Sequence, residues 1–133
     1  MSGFSTYLQS AVLNWIRGTA MPTAPTAIYV ALFSADPTDA GTLTNEVTTT
    51  IRTAGRVAAN FGAVATASGT GTIANTAIVD FGTAAGSATV TWFGIFDAAT
   101  NGNMIGSGTI ASGTVNQGNA VSFAVGALTV SSS

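Results

Sequence analysis

Apolar residues recur at three- and four-residue spacing near the N-terminus. Phe4, Tyr7, Leu8, Ala11, Val12, Trp15 and Ile16 fall on one side of a helical projection. Thr6, Gln9, Ser10, Asn14 and Arg17 fall on the other, and Leu13 is the exception. This periodicity predicts one amphipathic helix within residues 1–18. Ser2 is placed to cap its start. Gly18, just past Arg17, is placed for a left-handed C-terminal cap. Residues 19–26 carry Pro22 and Pro25 and read as an extended linker, since a proline pushes its predecessor away from helical geometry.

Beyond the linker the period changes. Ala27-Ile28-Tyr29-Val30-Ala31-Leu32-Phe33-Ser34 has no polar face and reads as a strand buried on both sides. Asp36-Pro37-Thr38-Asp39-Ala40-Gly41 ends it as a turn. Strand patterns follow at 47–51, 56–61, 76–81, 88–96, 103–110 and 120–130, with 69–72 as a turn and strand entry. Asn101-Gly102 between two of them is a hairpin signal. Asn116-Gln117-Gly118-Asn119 punctuates the last pair, and Gly126 reads as a bulge within the final strand. Short strands at about ten-residue spacing predict a mainly β fold, a β-sandwich or barrel-like domain with one N-terminal amphipathic α-helix. The chain divides into helix 1–18, linker 19–26, β-domain 27–130 and a loose tail 131–133, one domain overall.

Composition narrows the function. Charged residues make up 6% of the 133, against about a quarter in an ordinary soluble domain. There is no histidine and no cysteine, which removes the commonest general base, the thiol nucleophile and the usual transition-metal ligands. Serines therefore lack an ordinary activating base. Three arginines, Arg17, Arg52 and Arg56, make no basic patch for nucleic acid or an anionic membrane. No apolar run is long enough for a membrane-spanning helix. The start, Met1-Ser2-Gly3, has no basic region before an apolar stretch, so no cleaved leader is expected and synthesis in a cytoplasm is. These features point to a protein without catalysis, cofactor or metal.

The five acids are Asp36, Asp39, Glu46, Asp80 and Asp97. Asp36, Asp39 and Asp97 sit in turn contexts, where aspartate bonds its own backbone. Asp97, Asn101 and Asn103 do not match the spacing of a calcium loop, and a hairpin turn is the better reading. Arg52 and Arg56 are candidate partners for Asp80 or Glu46, at roughly 0–1 kcal/mol each if exposed. Trp92 reads as core. Trp15 divides between core packing and subunit contact, since tryptophan anchors interfaces.

Several segments resemble, in order, a group of small tailed-phage virion proteins of tail-fibre-like character. They are Leu13-Asn14-Trp15-Ile16-Arg17-Gly18-Thr19, then Pro25 to Phe33 with Asp36-Pro37, Glu46-Val47, Arg56-Val57-Ala58 and Phe61. Asn75-Thr76-Ala77, Phe81, Gly94 to Asn103 and Gly118 to Val130 complete the series. Gly55 stands where related chains usually carry tyrosine. The resemblance implies a structural component of a virion and carries over no catalytic residues. Two placements are expected from it. The first is a capsid decoration, or cement, protein that binds the major capsid protein on the capsid surface. Such a protein would be a homo-oligomer, a trimer suited to local threefold positions. The alternative is a tail, tail-fibre or baseplate component, with a receptor or glycan as its ligand. The absence of repeats and coiled-coil heptads tilts the sequence reading toward the head. In either case the assembly interface is expected on Phe4, Leu8, Trp15, Ile16 and Arg17.

Overall fold

The computed structural model describes residues 3–47, 49–52 and 55–132, the side chains of 111 and 112 excepted. The described residues form ten strands and one helix. They are β1 (Gly3–Phe4), α1 (Thr6–Ile16), β2 (Ile28–Phe33), β3 (Val57–Ala59), β4 (Ala65–Ala67) and β5 (Thr70–Ala74). β6 (Val79–Thr83), β7 (Ala88–Phe96), β8 (Met104–Val115), β9 (Ala120–Phe123) and β10 (Thr129–Ser131) follow. A five-stranded sheet has the order β1-β8-β7-β2-β3. A three-stranded sheet, β10-β5-β4, and a two-stranded sheet, β6-β9, complete the fold. Every pairing is antiparallel.

The fold is mainly β and sandwich-like, as expected. Alternation along β2 shows why. Val30 and Leu32 join Phe93 and Ile95 in a core that also takes Val79, Phe81 and Val121 from the small sheet and Val130 from β10. Ala31 and Phe33 point the other way and join Phe96 and Met104 in a second cluster, with Trp92 packed against it. The apolar run without a polar face thus supplies both sides of one sheet. Phe33, Phe93 and Phe96 are each at most 1% exposed, and full burial of such a side chain contributes about 1.5–3 kcal/mol. Phe33 and Phe96 stack at 6.2 Å between centroids. Gly108 lets the layers approach closely: a Cβ there would lie 2.7 Å from the Phe93 ring and 3.0 Å from the Thr129 carbonyl oxygen.

Several elements depart from the sequence reading. Phe4 belongs to β1, paired with β8 through Gly106, and not to the helix. Ser2 lies outside the described residues, and the cap of α1 is Ser5. No strand forms over the described part of 47–51, where Thr48 lies outside the described residues. Glu46 instead makes an isolated bridge to Phe33, and the chain then bends to bury Ile51. The strand expected at 76–81 starts only at Val79. The strand expected over 120–130 is two, β9 and β10, in different sheets, and Gly126 (φ 80°) lies between them. One buried side chain causes both interruptions. Asn75 donates from Nδ2 to the Ala77 and Ala124 carbonyl oxygens, 2.9 Å each, and accepts the Leu128 N–H at 3.0 Å. Those backbone groups are diverted from a ladder to an amide. The tail is also tied down: Ser131 ends β10, and Ser132 Oγ accepts the Gly71 N–H at 2.9 Å. Ser133 lies outside the described residues. An unforeseen strand, β4, forms a hairpin with β5 through Ser68 (φ 52°) and Gly69 (φ 79°).

Candidate functional site

The N-terminal arm is built from a short strand and a capped helix. Ser5, 1% exposed, accepts the Leu8 N–H on its Oγ at 3.2 Å, which satisfies one of the orphan donors of the first turn. The Ser5 N–H donates to the Ile105 carbonyl oxygen at 3.0 Å, and the Thr6 N–H to that of Asp39 at 2.7 Å. Gln9 Nε2 donates to the Phe4 carbonyl oxygen at 3.0 Å. The start of α1 is therefore fastened to the main sheet. Its other end closes as the sequence predicts: Gly18 (φ 103°) donates to the Trp15 carbonyl oxygen and Thr19 to that of Asn14. This pairing satisfies two orphan carbonyls through a left-handed residue.

Between these fixed ends the apolar stripe outruns the body. Leu8, Ala11 and Trp15 follow at i, i+3 and i+7, on one face. Leu8 is half-buried and Ala11 buried, but Trp15 is 61% exposed. Ile16 is 69% and Leu13 64% exposed. Arg17 is exposed beside them, with Asn14 Oδ1 at 3.5 Å as its hydrogen-bond partner among the described residues. Of the five interface residues expected from sequence, Trp15, Ile16 and Arg17 are all exposed at this end of the helix, and Leu13 is exposed on the side away from Trp15. Phe4 and Leu8 lie elsewhere. They line an apolar hollow of about 210 Å³ against Ile73, Ile105 and Val130. A second hollow, about 560 Å³, lies between α1 and residues 21–26. Its one acid, Asp97, accepts the Asn103 N–H at 2.8 Å and the Asn103 side-chain amide at 3.1 Å. Both carboxylate oxygens are thus committed to closing the β7–β8 hairpin.

Two of the remaining charges are buried together. Arg56, 7% exposed, pairs bidentately with Glu46, Nε to Oε2 at 2.8 Å and Nη2 to Oε1 at 3.0 Å. Its Nη1 donates to the carbonyl oxygens of Ala98 and Asn101 at 2.9 and 2.7 Å. The guanidinium also lies over the Phe96 ring, 3.9 Å from the centroid. Of the two partners the sequence offered for the arginines, Glu46 takes Arg56. Asp80 instead accepts the Gly82 N–H at 2.7 Å. The clamp ties three segments distant in sequence, a convergence that composition does not reveal. Among the described residues no three acidic side chains group to hold a metal ion, and no helix is long and apolar enough to cross a membrane.

A charge-poor β-sandwich, with its chemistry-bearing groups spent on internal bonds and an apolar helix end in water, belongs to the class of small tailed-phage virion structural proteins, tail-fibre-like. Residues 3–131 match the family model described as Podophage GP4 fiber I protein gp80, and the chain belongs to that family. No curated protein gives a match.

Proposed function

We propose that this protein is a fibre component of a phage tail that acts by burying surface against neighbouring virion proteins and performs no catalysis. The single observation behind this reading is the overhanging end of α1. Leu13, Trp15 and Ile16 are each more than 60% exposed on a helix whose two ends are firmly capped. Large apolar side chains left in water around one helix end, on a domain whose buried side-chain polar atoms are paired among the described residues, mark an interaction site. Low charge suits such a contact, because charges cost free energy when desolvated at its centre. With Arg56 buried in its clamp and Arg17 the one exposed arginine, nucleic acid is not the partner.

The family's description as a fibre protein favours the tail over the head, so capsid decoration is the reading set aside. The test is direct. Gold-labelled antibody against this chain, applied to intact particles, is expected to mark the tail. Dense labelling across the head would return the decoration reading. Particles grown with a Trp15→Ser, Ile16→Ser chain are expected to lack the protein when their composition is measured by mass spectrometry. Normal incorporation would remove the helix end from assembly.

A further inference from the structure

The Asn101-Gly102 step, in the connection between β7 and β8, carries a reactivity that the fold does not use. It is the one asparagine-glycine pair of the sequence, since every other asparagine is followed by a residue with a side chain. Both residues are exposed. Asn103, two positions on, has its side-chain amide tied to Asp97 at 3.1 Å. By contrast, neither the Asn101 side chain nor the Gly102 N–H takes part in a hydrogen bond among the described residues. What is held is the Asn101 main-chain carbonyl oxygen, which accepts from Arg56 Nη1 at 2.7 Å. We propose that Asn101 is a self-modifying residue: the folded chain converts it to aspartate and isoaspartate, and the buried Arg56 promotes the conversion through that carbonyl.

The reaction takes up water and needs no other reagent. The Gly102 backbone nitrogen bonds to Asn101 Cγ and gives up its proton, and the side-chain amide nitrogen leaves as ammonia. A cyclic imide results, with both Asn101 carbonyl carbons on one nitrogen. Water then adds to one of these carbons and breaks its bond to nitrogen. Opening at Cγ yields aspartate. Opening at the main-chain carbon yields isoaspartate, whose chain runs through Cγ and whose former main-chain carbonyl is a free carboxylate. Together the steps exchange an amide for a carboxylate, and the formal net charge of −2 becomes one unit more negative.

Arg56 bears on both steps. A cation donating to the Asn101 carbonyl oxygen draws electron density out of the peptide group, so the Gly102 N–H loses its proton more readily. The same donor faces the oxygen on which charge develops when water adds to the main-chain carbon, and this favours isoaspartate. Glycine at 102 is imposed by the fold. A Cβ there would lie 2.6 Å from Asp97 Oδ1 and 2.7 Å from Ala98 Cβ, and φ is 73°. The turn therefore keeps in place the residue that least hinders ring closure.

The test is peptide mapping by mass spectrometry of the purified full-length chain, incubated at neutral pH either folded or unfolded in urea. The folded chain is expected to convert Asn101 about tenfold faster than the unfolded one, the kinetic equivalent of a hydrogen bond to a charged group. Its products should be richer in isoaspartate, and the other asparagines should stay intact over the same period. The double change Arg56→Met, Glu46→Leu, its fold checked by circular dichroism, should bring both rate and product ratio to those of the unfolded chain. An Asn101 that survives in the folded chain while the unfolded chain converts overturns the inference. So does a folded parent with the rate and product ratio of the unfolded one, a comparison that decides the matter even where the double variant does not fold. A folded double variant that matches the folded parent removes Arg56 from the reaction and overturns it as well.

Discussion

At one end of the main sheet a guanidinium is buried; at the far end of α1 an indole stands in water. Both placements run against the ordinary sorting of side chains, and they are resolved differently. Arg56 finds a carboxylate, two carbonyls and an aromatic face inside its own chain. Trp15 stays 61% exposed, although Leu8 and Ala11 on the same face reach the body. A polar group taken out of water must be satisfied when the chain folds, because an unpaired buried charge is intolerable. An apolar group left in water costs little per residue and can wait for a partner. On the proposed reading the clamp serves folding and the helix end serves assembly, and substitutions should separate the two.

The largest effect is expected at the clamp. Arg56→Ala leaves Glu46, its side chain 6% exposed, without a partner, and removal of one member of a buried pair costs about 3–5 kcal/mol. Urea unfolding should show this loss. The double change Arg56→Met, Glu46→Leu removes the stranded charge and should recover much of it. A single variant as stable as the parent would dissolve the contrast with Trp15, because neither site would then matter to folding.

Asn75→Ala comes next. The substitution strands a buried N–H at Leu128 and removes the donor from two carbonyls, at about 1–3 kcal/mol for a buried group left unsatisfied. The same change should free residues 76–78 and 124–126, which amide hydrogen exchange would register as faster exchange at Gly126 and Leu128, whose N–H groups donate to Asn75. Slow exchange there would mean that the two chain segments hold their places without the amide.

These two sites also mark how far the sequence could be read. Periodicity revealed α1, both faces of β2 and the full extent of β7, because each is set by neighbours a few residues away or by simple alternation. Gly18 was legible for the same reason, since a left-handed cap is a local demand. The break between β9 and β10 was not. Val121 to Val130 alternates well enough to pass for one strand, and only Asn75, about fifty residues upstream, diverts its backbone. Glu46 and Arg56 could be paired on paper, but their burial depends on the Ala98 to Asn101 turn folding over them. The overhang of Trp15 was half legible: the stripe was plain, whereas the point at which the body ends under it is a property of the packed sheets.

A smaller effect belongs to the caps of α1. Ser5→Ala removes the acceptor of the Leu8 N–H, at about 1 kcal/mol. Gly18→Ala meets no atom within 4 Å, so its cost is that of a left-handed backbone alone, about 1–2 kcal/mol. Thermal unfolding followed by circular dichroism should place both well short of Arg56→Ala. Equal losses at cap and clamp would mean that the helix is as much a part of the folding unit as the buried pair.

The smallest stability effect is expected where the largest functional one lies. Trp15→Ser removes the largest side chain of the helix end, yet with 61% of its surface already in water it gives up little on truncation. Surface substitutions away from caps and buried networks usually stay within about 0.5 kcal/mol, and the urea midpoint should hold to that. A fall of several kcal/mol would show that the indole belongs to the body after all. The apolar stripe would then be ordinary core, and nothing would remain to distinguish the end of α1 from the clamp. An unchanged midpoint together with loss from the particle would leave one account of why an uncapped apolar face persists on a domain that satisfies its buried charge so completely: its partner lies outside the chain.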